Sequence, residues 1–166
     1  MTEQALHDEI VAIIPRLRRF ARGLTGNQQD ADDLVQVSLE KALSRLHQYT
    51  PGTRLDSWLY RIVQTSFLDE RRRSSRREDT MSSDALERLP GAGRGVEADN
   101  EARLADIDRA LATLPQEQRT VVVSVLVEGN SYRDAADMLG LPIGTVMSRL
   151  SRARKALAVS LGEANR

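Results

Sequence analysis

Between Ser74 and Asn100 the sequence has few large apolar side chains and is rich in serine and glycine. A stretch of this composition buries too little apolar surface to form a fixed core, so we expect a flexible linker, placed at residues 76–102. The linker divides the 166-residue chain into two units, residues 1–75 and residues 103–166. Each unit is near the lower size limit for independent folding and can form only a small domain with a modest core.

Apolar residues in both units recur at the spacing of amphipathic α-helices. In the first unit we expect one helix through Ile10 to Leu24, a second from near Asp30, and a third capped by Asp56 or Ser57. In the second unit a valine-rich stretch is also assigned to a helix, because no other segment has the pattern of a strand that could pair with it. The predicted fold is therefore all-α. The residues expected to face inward include Leu34, Val37, Ala42, Leu43 and Leu46 in the second helix and Leu104, Ile107, Leu111 and Leu114 after the linker.

Several classes of site are excluded by composition. The sequence has no cysteine and two histidines, which removes disulfide frameworks, thiolate zinc sites and cysteine nucleophiles. A calcium loop from Asp30 is excluded because Leu34 and Val35 stand where an oxygen ligand and a glycine are needed. We therefore expect no metal and no cofactor. An enzyme such as a nuclease is disfavoured, because the basic segments lack clustered carboxylates with histidine or lysine. No apolar run is long enough for a membrane span or a signal peptide, so a cytoplasmic protein without membrane insertion is expected.

The formal net charge is zero, but charge is unevenly distributed along the chain. The net charge is −1 in residues 1–53, +4 in residues 54–77, −6 in residues 78–108 and +3 in residues 109–166. An acidic segment therefore lies between two basic blocks, one in each unit. The basic blocks indicate nucleic acid as a partner. The acidic segment either mimics the charge of nucleic acid or only keeps the linker soluble.

Residues 131–155 have the pattern of a helix-turn-helix. Ser131 can cap a short helix, Gly140 can end it in the left-handed conformation, and Pro142 shapes the entry into a second helix from about Ile143. Hydroxyl and arginine side chains on one face of that second helix can contact base edges in a major groove. The predicted DNA-binding residues are Thr145, Ser148, Arg149 and Arg152, with Arg154 and Lys155 as phosphate contacts. The alternative is a basic helix end that only interacts with solvent and the helix dipole.

Aromatic and arginine residues occur together between residues 49 and 77. Aromatic rings can stack on unpaired bases while arginine neutralises the backbone, so this mixture suits single-stranded or opening DNA. For Trp58 and for Phe67 individually, a position in the hydrophobic core is favoured over a role in stacking on DNA bases. Tyr49 is adjacent to Pro51 and Gly52, so we expect its ring to be exposed.

Several stretches together resemble bacterial sigma factors of the sigma-70 family, in the small extracytoplasmic-function group. They are DADDLVQ at 30–36, DSWLYRI at 56–62, LDERRR at 68–73, Leu-Pro at 114–115 and GTVMSRLSRAR at 144–154. The resemblance implies two helical domains, called regions 2 and 4, on a flexible connection. It also implies that the protein directs RNA polymerase core to promoters.

The resemblance also implies which residues have which role. Docking on the clamp helices of the polymerase β′ subunit would involve Asp30, Asp32, Asp33, Leu34 and Gln36. Recognition and opening of the minus-ten element would involve Tyr49, Thr50, Arg54, Trp58, Arg61, Gln64, Arg71 and Arg72. Region 4 would bind the minus-35 element and the polymerase β flap, and an anti-sigma factor would be a further partner. Two residues depart from the family pattern. Met147 stands where a basic residue is usual, and Thr65 stands where asparagine is common.

A stand-alone helix-turn-helix regulator is the alternative function. It would bind operators without polymerase, and a dimer seam would have to set the spacing of its two half-sites. We find no heptad stripe that could form such a seam.

Overall fold

The structure is a computed structural model that describes residues 2–78 and 96–164. Its seven α-helices are α1 (Glu3–Thr25), α2 (Gln28–Ser44), α3 (Leu55–Glu78), α4 (Val96–Ala112), α5 (Gln116–Val122), α6 (Tyr132–Leu139) and α7 (Ile143–Ala164). A 3₁₀ turn, Leu46–Gln48, follows α2, and a π-helical turn, Val123–Val127, continues α5. The all-α prediction is confirmed, including a helical valine-rich stretch, and the described residues contain no strand.

The local sequence explains most helix ends. Asn27 caps α2, because its Oδ1 accepts a hydrogen bond from the Asp30 amide at 2.8 Å, so this helix begins slightly before the expected position. Helix α3 begins at Leu55, which places Asp56 and Ser57 in its first turn and not at its cap. There the Asp56 carboxylate accepts a hydrogen bond from the Ser57 amide at 2.7 Å. A carboxylate at this position also suits the positive end of the helix dipole.

One hydrophobic core connects the N-terminal unit (α1–α3) with the C-terminal unit (α4–α7). The rings of Phe20 and Tyr60 meet edge to face in this core, with centroids 4.9 Å apart. Gly23 of α1 lies directly against Val123 of the π-helical turn. A Cβ on Gly23 would stand 2.5 Å from a Val123 methyl, so only glycine allows this close approach. The two predicted units are therefore packed against each other.

Four predicted core residues are exposed, and these predictions were wrong. Val37 and Leu43 of α2 are 45% and 47% exposed, and Leu104 and Ile107 of α4 are 44% and 51% exposed. The buried side of α2 carries other residues, namely Ala31, Leu34, Val35, Ser38 and Ala42. Among the α4 residues whose burial is described, Ala110 and Leu111, near the C-terminal end of the helix, are buried.

The predicted linker coincides largely with residues 79–95, which lie outside the described residues. Residues 76–78 belong to α3 and residues 96–102 to α4, so both ends of the predicted linker are helical. Within residues 2–78 and 96–164, no helix is both long and apolar enough to cross a membrane. The same residues contain no cluster of three or more His, Cys, Asp or Glu arranged to hold a metal ion.

Candidate nucleic-acid interface

The helix-turn-helix forms as its sequence predicts. Ser131 Oγ accepts a hydrogen bond from the Asp134 amide at 3.0 Å and so caps α6. Gly140 ends α6 with a φ of 64°, in the left-handed region that favours glycine. Val146 and Leu150 hold α7 against the core through their buried side chains. The opposite side of α7 is thereby fixed as an outward face.

That outward face carries part of the predicted minus-35 set. Ser148 and Arg152 are exposed on α7, as are Arg154 and Lys155 in the following turn. Thr145 and Arg149 are half-buried at its flank. The Arg149 guanidinium lies 3.1 Å from a carboxylate oxygen of Glu117 on α5, so Arg149 is partly engaged within the C-terminal unit. Met147 is 51% exposed on α7.

The predicted minus-ten arginines of the N-terminal unit face α6. Arg54 forms an ion pair with Asp56 at 2.9 Å and a second ion pair with Asp134 of α6. Arg61 donates a hydrogen bond to the main-chain carbonyl of Asp137, also in α6, at 3.1 Å. The structure thus places two predicted minus-ten arginines against α6, the first helix of the helix-turn-helix, and not against the predicted minus-35 residues of α7.

Charge and hydrogen bonding shift the pKa values at this contact. The hydrogen bond from Ser131 and then that from Arg54 hold the pKa of the Asp134 carboxyl below its usual value. Partial burial opposes ionisation of Asp56, but hydrogen bonds from Arg54 and the Ser57 amide outweigh burial, and its pKa is also lowered. The hydrogen bonds to Asp56 and Asp134 raise the pKa of Arg54. All three groups are therefore charged near neutral pH.

The expected exposure of Tyr49 is wrong. Tyr49 is 7% exposed, its hydroxyl donates a hydrogen bond to the Thr53 carbonyl at 2.7 Å, and its ring lies 5.5 Å from that of Trp58. Burial of the ring against Trp58 and satisfaction of the hydroxyl within the loop explain this position. Thr50 is exposed in the same loop.

The remaining predicted minus-ten residues lie along α3. Gln64 is half-buried, whereas Arg71 and Arg72 are exposed. Arg71 donates a hydrogen bond to the Gln116 side chain of α5 at 3.2 Å, and its guanidinium lies 5.9 Å from the centroid of the Phe67 ring. Phe67 is buried, which agrees with the core role expected for it.

The predicted polymerase-binding residues border a groove between α2 and α3. The groove has a volume of about 510 Å³ and is lined on the α2 side by Asp30, Asp33 and Leu34. Phe67 and Glu70 line it from α3. The remaining two residues of the predicted set lie near it on α2: Asp32 pairs with Arg18 at 3.3 Å, and Gln36 donates a hydrogen bond to Glu40 at 3.3 Å. The groove combines an apolar floor with acidic edges.

Sequence reasoning missed two residues that join the units. The Glu128 side chain has no exposed surface and accepts a hydrogen bond from the Tyr60 hydroxyl at 2.8 Å. Arg119 of α5 donates hydrogen bonds to the carbonyls of Leu24 in α1 and Leu111 in α4. Burial, and then the charge of Arg71, lower the pKa of Arg119. The sequence gives only a position for them, since Arg119 lies just before the valine-rich stretch and Glu128 just after it.

Comparison with known proteins decides the family. Residues 10–64 match the family described as the Sigma2 domain of PhyR, and residues 104–157 match the family described as Sigma-70, region 4. The chain is 39% identical over 160 residues to the ECF RNA polymerase sigma factor EcfG of Rhodopseudomonas palustris, covering 95% of this chain and 85% of that protein. The chain belongs to the extracytoplasmic-function sigma factors. It is a sigma factor that directs transcription initiation, and the stand-alone regulator is not favoured.

Two solved structures share the fold of this sigma factor. The sigma factor RpoE, solved in complex with the anti-sigma factor NepR from Bartonella quintana, matches with a TM-score of 0.77 and 31% identity, covering 96% of this chain and 98% of that one. CnrH, solved in complex with the cytosolic domain of CnrY, matches with a TM-score of 0.72 and 25% identity, covering 98% and 90%. The two-domain layout predicted from the sequence is that of these sigma factors.

Proposed function

We propose that this sigma factor contacts promoter DNA with two separate surfaces. The observation that supports this most directly is the capped helix-turn-helix, whose α7 presents Ser148, Arg152 and Lys155 on an outward face. Such a face fits a major groove, where arginine can form paired hydrogen bonds to guanine. Helix α7 binds the minus-35 element in this proposal. The minus-ten element, once it opens, is contacted by Arg54, which directly precedes α3, and by Arg61 on α3.

The α2–α3 groove is the proposed docking site for the clamp helices of the polymerase β′ subunit. Its acidic edges, from Asp30, Asp33 and Glu70, suit basic side chains of a partner helix. Its floor, formed by Leu34 and Phe67, offers apolar surface to the same helix. Region 4 contacts the β flap in this proposal. The role of the chain is non-enzymatic, because the polymerase carries out the chemistry and the sigma factor positions the polymerase on the promoter.

An anti-sigma factor is a further proposed partner. Both structural relatives described above were solved with an inhibitor or partner protein bound, NepR in one case and CnrY in the other. The close likeness over nearly the whole chain supports a similar partner here. Such a protein would compete with polymerase for the α2–α3 groove.

The docking proposal is tested by charge reversal in the groove. Asp33 is exposed at the acidic edge, so Asp33→Lys should reduce the affinity for core polymerase at least tenfold, that is by about 1.4 kcal/mol or more. Glu9→Lys, an equal charge change on the exposed side of α1, is the matched control and should bind core normally. Binding is measured by competition for core against labelled wild-type chain. Equal affinities of the two variants would contradict docking at this groove.

A further inference from the structure

An ion pair joins α5 to α7, the helix proposed to bind the minus-35 element. The Nη2 atom of Arg149 lies 3.1 Å from a carboxylate oxygen of Glu117, which belongs to the first turn of α5. Within residues 2–78 and 96–164, no other carboxylate and no carbonyl pairs with the Arg149 side chain. The side chain of Arg149 is 23% exposed, whereas that of Glu117 is 72% exposed. Most of the arginine is therefore covered by the protein, and its carboxylate partner lies at the surface.

The backbone of Glu117 is held in place by the residues around it. Pro115 directly precedes α5, and its carbonyl accepts hydrogen bonds from the amides of Gln118 and Arg119, both at 3.0 Å. The side chain of Arg119 then donates a hydrogen bond to the carbonyl of Leu111 in α4 at 2.8 Å. These bonds fasten the start of α5 to the end of α4. The Glu117 carboxylate thus extends from an anchored turn toward Arg149.

A carboxylate at one edge of a guanidinium suits base recognition by the rest of that group. Arginine carries five N–H donors in a rigid plane, so a contact through Nη2 leaves donors for the two acceptors of a guanine. A long side chain that is already held in place loses less rotamer freedom when it binds. The same carboxylate is negative and repels the phosphates of every DNA sequence alike. Glu117 therefore has opposite effects on specific and on nonspecific binding.

We propose that Glu117 is a positioning residue for base recognition, and that its carboxylate holds the Arg149 guanidinium in the orientation that contacts one base pair of the minus-35 element. The inference rests on the proposed role of α7 at that element. Glu117 does not itself touch the base. It lowers the conformational cost of the correct contact and weakens binding to DNA of the wrong sequence.

The affinity of the polymerase holoenzyme for single-base promoter variants measures the proposed effect. Arg149→Ala first identifies the base pair that Arg149 contacts, and the wild-type preference there should be about 5- to 150-fold. Glu117→Gln keeps the size of the side chain and removes its charge. It should reduce the preference at this base pair about threefold or more. Binding to nonspecific DNA should become tighter at low salt, because a repulsive charge is lost.

A double-mutant cycle separates positioning from a general effect of charge. In the Arg149→Ala background, Glu117→Gln should leave every base preference unchanged, because no guanidinium remains to be positioned. Asp106→Asn is the matched control, since Asp106 is an exposed carboxylate that pairs with Arg109 on α4. This control should alter no base preference. An unchanged preference in the Glu117→Gln chain, or an equal loss of affinity for all promoter variants, would overturn the proposal.

The Arg149→Ala result keeps this inference distinct from the proposed function. If Arg149→Ala reduces the preference at one base pair and Glu117→Gln does not, α7 still reads the minus-35 element and only the positioning role fails. If neither variant changes any preference, base recognition by Arg149 fails together with the positioning role.

Discussion

At Glu128 one carboxylate links helices that are far apart in the sequence. The Tyr60 hydroxyl is the neutral donor to this carboxylate, and Tyr60 itself is fully buried. Burial, followed by the negative charge of Glu128, raises the pKa of Tyr60. The phenol therefore stays protonated and remains a donor through the neutral range.

Tyr60→Phe removes this donor and leaves the ring in place. The buried carboxylate then has one partner fewer, so the free energy of unfolding should fall by about 1–3 kcal/mol. Urea unfolding measures the loss. Tyr132→Phe is the control, because the Tyr132 hydroxyl makes no hydrogen bond within the described residues, and it should change the stability by less than about 0.5 kcal/mol. Equal losses in both variants would show that the Tyr60–Glu128 bond contributes nothing.

Variants of Arg149 and Lys155 distinguish recognition of a base from neutralisation of phosphate charge. Arg149→Ala should relax the preference at one base pair of the minus-35 element, at a cost of about 1–3 kcal/mol for the preferred base. Lys155→Ala should weaken binding to all sequences alike and reduce the salt slope by about one phosphate contact. Both are measured on a panel of single-base promoter variants over a salt series. If Arg149 serves only its ion pair with Glu117, both variants will affect all sequences equally.

At the scale of single elements, the helix-turn-helix was the most predictable part of the chain. Its cap at Ser131 and its left-handed end at Gly140 depend on residues within the same few turns, so local sequence specifies them. The exposure of Leu104 could not be predicted in this way, because helical spacing shows which residues share a face but not whether another helix covers that face. The predicted exposure of Tyr49 was wrong for a related reason. The loop after Tyr49 brings the Trp58 ring against it, and helical spacing does not show this contact.

Gly140→Ala tests the end of α6. Gly140 has a φ of 64°, which an alanine adopts only with strain, so the variant should lose about 1 kcal/mol of stability. Gly162→Ala lies inside α7 and should be neutral or stabilising. Thermal unfolding of the two chains gives the comparison. A Gly140→Ala chain as stable as the wild type would contradict the proposed role of the left-handed turn.

At the scale of the whole molecule, sequence reasoning found two units but not their contact. The charge pattern located the basic blocks, yet Arg54 of the first block pairs with Asp134 of the other unit. Arg16 and Arg19, which lie outside both blocks, pair with Glu128 of the other unit. Such pairs join positions about 100 residues apart, and no local pattern identifies them. The fit of Gly23 to Val123 is equally non-local.

The pH dependence of the contact between the units follows from Asp134 and Asp56, which both pair with Arg54. Their pKa values are lowered from 3.8, so their contribution is complete above that value and is lost as the pH falls through the lowered values. The stability lost in an Asp134→Asn chain, measured by urea unfolding against the wild type, should therefore be constant from about pH 5 to pH 8 and should shrink only in stronger acid. A loss that changes with pH between about pH 5 and pH 8 would contradict the role of this carboxylate.

Run-off transcription from a randomised promoter library, with core polymerase and this chain, tests the central claim most directly. We expect transcripts only when both proteins are present, from templates that share an upstream and a downstream element. The Arg149→Ala chain should lose preference in the upstream element alone. No enrichment over core polymerase alone, together with tight binding of the free chain to a palindromic operator, would contradict the account.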